Sequence, residues 1–217
     1  MFLQDNWNRI SKPKSKGISP EAKATGYIYP WNHDLANMEM ICNTLVLLEP
    51  KIVLELGTFE ACGTKAMADT LEGFCIKSKF WTFDEGGVTL KDWPESVHED
   101  MINTWVKVVE ARAERVKHPY QYVILEYIEG LTFDTLPIKL PEIGEWDFCF
   151  QDSVHVLPDI LQEWNLLLPY SKVGSIIVFD DILIDHDWLK WFPENVKGWD
   201  WRHTTLGRSQ LWAERMK

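Results

Sequence analysis

Five carboxylates in this 217-residue chain stand where apolar runs stop. Glu55 follows KIVL and precedes Gly57 by two positions; Asp84 closes FWTFD, Asp152 closes WDFCFQD, and Asp180 and Asp181 close SIIVFDD. An acid that ends an apolar run is an acid at the C-terminal end of a buried strand, the edge where open α/β sheets bind their ligands. Gly57 opens a turn that runs through Thr58 and Gly63 straight into a helical pattern of small and apolar residues. A residue without Cβ lets the main chain approach a ligand, and the helix start offers unpaired N–H donors to an anionic group. His155 lies three residues beyond Asp152. With an unperturbed pKa of about 6.5 it suits the acceptance of a hydroxyl proton near neutrality. A helix-start histidine bonded to Asp152 accounts for it equally well.

These residues need a frame. Leu35, Met38, Ile41, Leu45 and Leu48 recur at helical spacing over about 34–48, and Pro50 stops that helix before a strand at 51–57. A helix at about 60–72 and a strand at 80–84 follow. A long helical pattern then spans about 94–117, with Val97, Met101, Trp105, Val108 and Val109 on one side. YQYVILEYI reads as the third strand, 133–144 as one short helix broken by prolines and a glycine, 147–151 as the fourth strand, 156–168 as a helix and 175–179 as the fifth strand. WDWRHTTLG and RSQLWAERM read as a hairpin turning at Gly207. Strand and helix alternate five times. The expected fold is therefore α/β, a Rossmann-like doubly wound sheet of seven strands, mostly parallel, with a C-terminal antiparallel hairpin strand. Residues 1–26 carry Lys, Ser, Pro and Gly without periodicity and read as an arm or lid on a single domain over 27–217.

Composition mainly excludes. A net charge of −11 and a pI near 5.0 are wrong for a protein that grips nucleic acid through clustered Lys and Arg. Cys42, Cys62, Cys75 and Cys149 form no metal-ligand spacing and read as reduced core thiols, which points to a cytoplasmic location. The polar N-terminus lacks an apolar signal region, and no apolar run is long enough to span a membrane. Trp188, Trp191, Trp199 and Trp201 crowd the region after the fifth strand. They fit the wall of an acceptor pocket, core packing or the interface of a homodimer, and composition does not choose among these. His33 and His186 read as exposed loop or helix-start residues.

VLELGTFEACGT, FWTFDEG and WDFCFQDSVHVLPDILQEWNLLLPYSKVGSIIVFDD together resemble the class I S-adenosylmethionine-dependent methyltransferases, and among them the small metal-dependent O-methyltransferases of the catechol and macrolide-sugar type. The resemblance runs from about Ile52 to Met216. It implies that Gly57, Thr58 and the backbone up to Gly63 hold the methionine end of the cofactor, with Glu55 orienting its amino group. It implies that Asp84 accepts hydrogen bonds from both ribose hydroxyls, a task for a group that offers only acceptors, and that Gly130 lies near the adenine. It further implies that Asp152, Asp180 and Asp181 bind Mg²⁺, which would hold a hydroxylated small-molecule acceptor, with His155 and Asp152 at the reacting centre. Each of these acids alone is more often a helix cap or turn residue. Three departures stand out: Ala61 replaces the second glycine of the loop, Leu131 replaces the acid or amide after Gly130, and Val154 replaces a second acid. The other readings are a nicotinamide-dependent oxidoreductase, for which GTFEACG lacks the GxGxxG spacing, and a non-catalytic cofactor-binding protein.

Overall fold

A computed structural model describes residues 1–12, 35–86, 98–153, 156–181, 187–204 and 209–217. Seven strands form one sheet: β1 (Ile52–Leu56), β2 (Ser78–Asp84), β3 (Val123–Glu129), β4 (Trp146–Gln151), β5 (Ser171–Phe179), β6 (Trp199–Thr204) and β7 (Gln210–Arg215). Their spatial order is β3-β2-β1-β4-β5-β7-β6. β1 to β5 are parallel, whereas β7 pairs antiparallel with both β5 and β6. The expected sheet is met, including the C-terminal hairpin; its turn at Gly207 lies outside the described residues. The winding reverses between β1 and β4, so the crevice for a ligand opens at the C-terminal ends of those two strands.

Alternation along the strands sorts the core into two layers. Val53, Phe80, Phe148, Phe150, Ile176 and Val178 face helices α1 (Phe2–Ile10), α2 (Leu35–Leu48) and α3 (Cys62–Gly73). Leu54, Leu56, Trp81, Phe83, Cys149, Ile177 and Phe179 form the other layer, with α5 (Thr132–Ile143), α6 (Leu157–Leu167) and α7 (Asp187–Asn195). Helix α4 (His98–Val116) packs on α3 and β3. Trp199 joins the second layer and Trp191 and Trp201 pack against it, with Trp164 and Trp199 ring centroids 4.9 Å apart. For these three tryptophans the structure therefore chooses core packing.

Two expectations change. The stretch read as an aperiodic arm begins with a docked helix, α1, whose Leu3 and Ile10 are fully buried. Its first N–H donors are capped across the chain: the Glu214 carboxylate of β7 accepts from Phe2 N at 2.8 Å and Leu3 N at 2.7 Å. A nine-residue helix cannot hold by itself, and only this distant cap and the burial explain it. The segment 133–144, expected to hold a short helix, forms α5 over 12 residues despite Pro137 and Pro141 inside it. Burial of Leu136 and Leu140 against the sheet outweighs the lost backbone bonds.

Candidate cofactor and acceptor site

The rim of β1 and β2 is a knot of hydrogen bonds around one loop. Gly57 N and Thr58 N donate to Phe83 O at 2.8 and 3.2 Å, and Phe59 N donates to Asp84 Oδ2 at 2.7 Å. Gly57 has φ +94°, and a Cβ there would lie 2.8 Å from Ser153 N and closer still to the Asp152 carbonyl, so no other residue fits. Ala61 adopts the left-handed conformation, φ 61° and ψ 27°, fully buried. The departure from glycine thus leaves the turn in place, and alanine carries a backbone shape that glycine adopts without cost. From Ala61 the chain enters α3, whose first turn contains Gly63. The Gly57, Thr58, Phe59 and Ala61 amides are bonded within the fold, so the backbone donors that this turn offers are those of the helix start.

Glu55 supports the loop from inside the fold. It is 1% exposed and accepts from Thr82 Oγ1 at 2.6 Å and from Thr64 Oγ1, while Thr58 and Thr82 hydroxyls lie 2.5 Å apart. Asp84 stands at the end of β2, 9% exposed. Its Oδ1 accepts from Arg112 Nη1 at 2.5 Å and Gly86 N at 3.1 Å. Gly130 N donates to Asp84 O at 2.8 Å, which brings the turn after β3 to the same place. Beside it, Glu85 is pushed up from the ordinary carboxyl value, by burial first and by Asp84 second.

The rim of β4 and β5 is built differently. Asp152 N donates to Leu56 O at 2.8 Å and Asp180 N to Gln151 O at 3.0 Å, so both acids leave their strands at the crevice. Asp180, however, is 1% exposed, and its Oδ1 accepts from Gln210 Nε2 at 3.0 Å, whose Oε1 in turn accepts from Trp212 Nε1 at 3.2 Å. Asp181 is buried with φ 56°. Among the described residues no group of three or more His, Cys, Asp or Glu side chains is placed to hold a metal ion. The expected Mg²⁺ set of Asp152, Asp180 and Asp181 is thus not shown; Asp180 Oδ1 is bonded at the β5–β7 junction, which the linear sequence does not display. His155 and Val154, like His33 and His186, lie outside the described residues.

Two residues here escaped sequence reading. Glu163 of α6 is 1% exposed and accepts from Thr132 Oγ1 at 2.5 Å, Ser153 Oγ at 2.6 Å and Gln151 Nε2 at 3.1 Å, joining the turn after β3 to the loop after β4. Burial pushes its carboxyl up more than those three bonds pull it down. Arg112 of α4, 3% exposed, grips Asp84. In both cases the available signal was a charge on the apolar face of its helix: Glu163 among Ile160, Trp164 and Leu167, Arg112 in step with Trp105 and Val108.

No family model matches this sequence, and no curated protein does. Solved structures do match. An SAH-bound methyltransferase of Podospora anserina aligns over 100% of this chain and 96% of its own, at 13% identity and a TM-score of 0.66. A putative caffeoyl-CoA O-methyltransferase of Staphylococcus aureus aligns over 99% and 97%, at 11% identity and 0.63. An O-methyltransferase of Streptomyces achromogenes involved in tomaymycin synthesis, in complex with SAM, aligns over 91% and 87%, at 18% identity and 0.58. The fold is that of the class I S-adenosylmethionine-dependent O-methyltransferases. No helix among the described residues is long and apolar enough to cross a membrane.

Proposed function

We propose that this chain is an S-adenosylmethionine-dependent methyltransferase that acts on a hydroxyl of a small molecule. The observation that carries the reading is the Gly57 loop: a turn pinned to Asp84 and packed through Gly57 against the Asp152 backbone, so that the ends of β1, β2 and β4 and the start of α3 meet at the switch point of the sheet. Bound there, S-adenosylmethionine supplies an electrophilic sulfonium methyl group for in-line transfer. The start of α3, with Gly63 in its first turn, holds its carboxylate, the Gly57–Thr58 turn backs its methionine end, Glu55 fixes the loop beneath its amino group, Asp84 accepts from its ribose, and the Gly130 turn borders its adenine. Asp152 stands at the same edge, and His155, three residues on, takes the proton of the acceptor hydroxyl. Positioning of the two reactants supplies most of the rate. No step is assigned to Mg²⁺. The chain acts in the cytoplasm, on an acceptor that is neither nucleic acid nor membrane.

Titration calorimetry with S-adenosylhomocysteine tests the cofactor, and transfer of a labelled methyl group to a panel of catechols, sugars and hydroxylated metabolites tests the reaction. Micromolar binding together with turnover of a hydroxylated acceptor is expected. Absence of binding overturns the reading; binding without turnover on any acceptor points instead to a cofactor-sensing protein.

A further inference from the structure

A carboxylate offers about four lone-pair positions, and at Asp84 three are already taken. Oδ1 accepts from both Arg112 Nη1, at 2.5 Å, and Gly86 N, at 3.1 Å, whereas among the described residues Oδ2 accepts only from Phe59 N, at 2.7 Å. Of the three donors, two are backbone amides fixed by the loops they belong to. The third is a side chain that is itself held on every side. Arg112 Nη2 donates to Gly86 O at 3.1 Å, its guanidinium carbon lies 5.0 Å from the centre of the Tyr127 ring, and the side chain is only 4% exposed. Trp105 and Val108, on the same face of α4, keep that helix against the site, with the Trp105 ring 5.8 Å from Phe59 and Val108 buried.

We infer that Arg112 is a positioning residue of the ribose site: it saturates Asp84 Oδ1 and leaves Oδ2 as a single acceptor edge, so that Asp84 takes one ribose hydroxyl and not both. The inference rests on the methyltransferase reading above and departs from the two-hydroxyl role that the family resemblance implies. The chemistry is simple. Arg112 cannot be deprotonated and has no acceptor, so it cannot take over the second hydroxyl. A charge-assisted hydrogen bond such as this one is stronger than a neutral one, and an incoming hydroxyl does not displace it. Arg112 thereby fixes both the rotamer of Asp84 and the number of hydroxyls that Asp84 reads.

The test is calorimetric titration of the full chain with S-adenosylhomocysteine and with its 2′-deoxy and 3′-deoxy forms. For the wild type, one deoxy form is expected to bind at least tenfold more weakly than the parent, the loss of a hydrogen bond to a charged acceptor, and the other within threefold of it. In Arg112→Met the parent is expected to bind at least tenfold more weakly, and the contrast between the two deoxy forms to shrink below threefold. Arg112→Lys, which keeps the charge and one donor toward Asp84, restores a contrast above threefold. Thermal melting without ligand reports the fold of each variant, and a purely structural Arg112 would move melting without moving the contrast. Equal tenfold losses for both deoxy forms in the wild type, or an unchanged contrast in Arg112→Met, overturn this inference and leave the methyltransferase reading intact. A wild type that binds none of the three ligands overturns that reading, and this inference with it.

Discussion

The two rims of the crevice carry the same kind of residue and use it in opposite ways. On the β1–β2 rim, Glu55 and Asp84 are bonded to threonine hydroxyls, loop amides and Arg112, and through Phe59 N Asp84 ties down the Gly57 loop itself. On the β4–β5 rim, Asp180 is turned to Gln210 of β7 and helps to seat a strand. A place at the end of a strand delivers a carboxylate to the rim. Its task is set by the donors that other segments bring there.

The comparison is broken most severely at Gly57. Gly57→Val places a branched side chain against the Asp152 backbone at a positive φ. Binding of S-adenosylhomocysteine is expected to fall more than a hundredfold by calorimetry; retention of tight binding would mean that the loop is not the cradle. Next comes the contrast between the rims. Asp84→Ala strands Arg112, 3% exposed, without its partner and should cost about 3–5 kcal/mol in urea unfolding. Asp180→Asn keeps an acceptor for Gln210 and should cost about 1 kcal/mol. Methyl transfer by Asp180→Asn, and by the wild type in EDTA, should stay within twofold; a hundredfold loss in either would restore a catalytic metal to the second rim.

A smaller effect separates burial from pairing. Burial holds the Glu163 carboxyl above its ordinary value in the folded chain. The native state then binds this proton more tightly than the unfolded one. The stabilisation is fully present below the unfolded pKa of about 4.3 and is lost as pH rises through the folded value. Glu163→Gln removes that loss, so its urea midpoint relative to the wild type should climb between pH 4 and pH 7. A flat difference would show that the bonds from Thr132, Ser153 and Gln151 cancel burial, and a falling one that they outweigh it. The smallest change belongs to Ala61. Relief of its left-handed backbone, about 1–2 kcal/mol, is offset by loss of a buried methyl, about 0.8 kcal/mol, and by the flexibility glycine adds to the unfolded chain, about 0.4–1 kcal/mol. Ala61→Gly should therefore leave the melting temperature nearly unchanged and binding intact. A drop of many degrees would show that the turn does not need the left-handed shape.

Much of this was legible in the chain. Alternating apolar runs and helical periodicities specify the sheet, and Gly57, Asp84 and Asp152 are found at the crevice because strand ends can be read from where apolar runs stop. Helix α1 was not legible: its stability comes from Glu214, more than 200 positions away, and not from a local pattern. For α5 a short helix was legible, but not its unbroken run through Pro137 and Pro141, since prolines weigh against a helix until the buried face of Leu136 and Leu140 is known.

By itself the sequence determined the order of elements, the doubly wound class and the rim to which each acid is delivered, because hydrophobic period and turn chemistry are local properties. Only the tertiary structure decided the partners: Arg112 for Asp84, Gln210 for Asp180, Thr132 and Ser153 for Glu163. Those pairings join residues on different elements. A carboxylate's hydrogen bonds depend on which donors meet it in space, which no local pattern encodes.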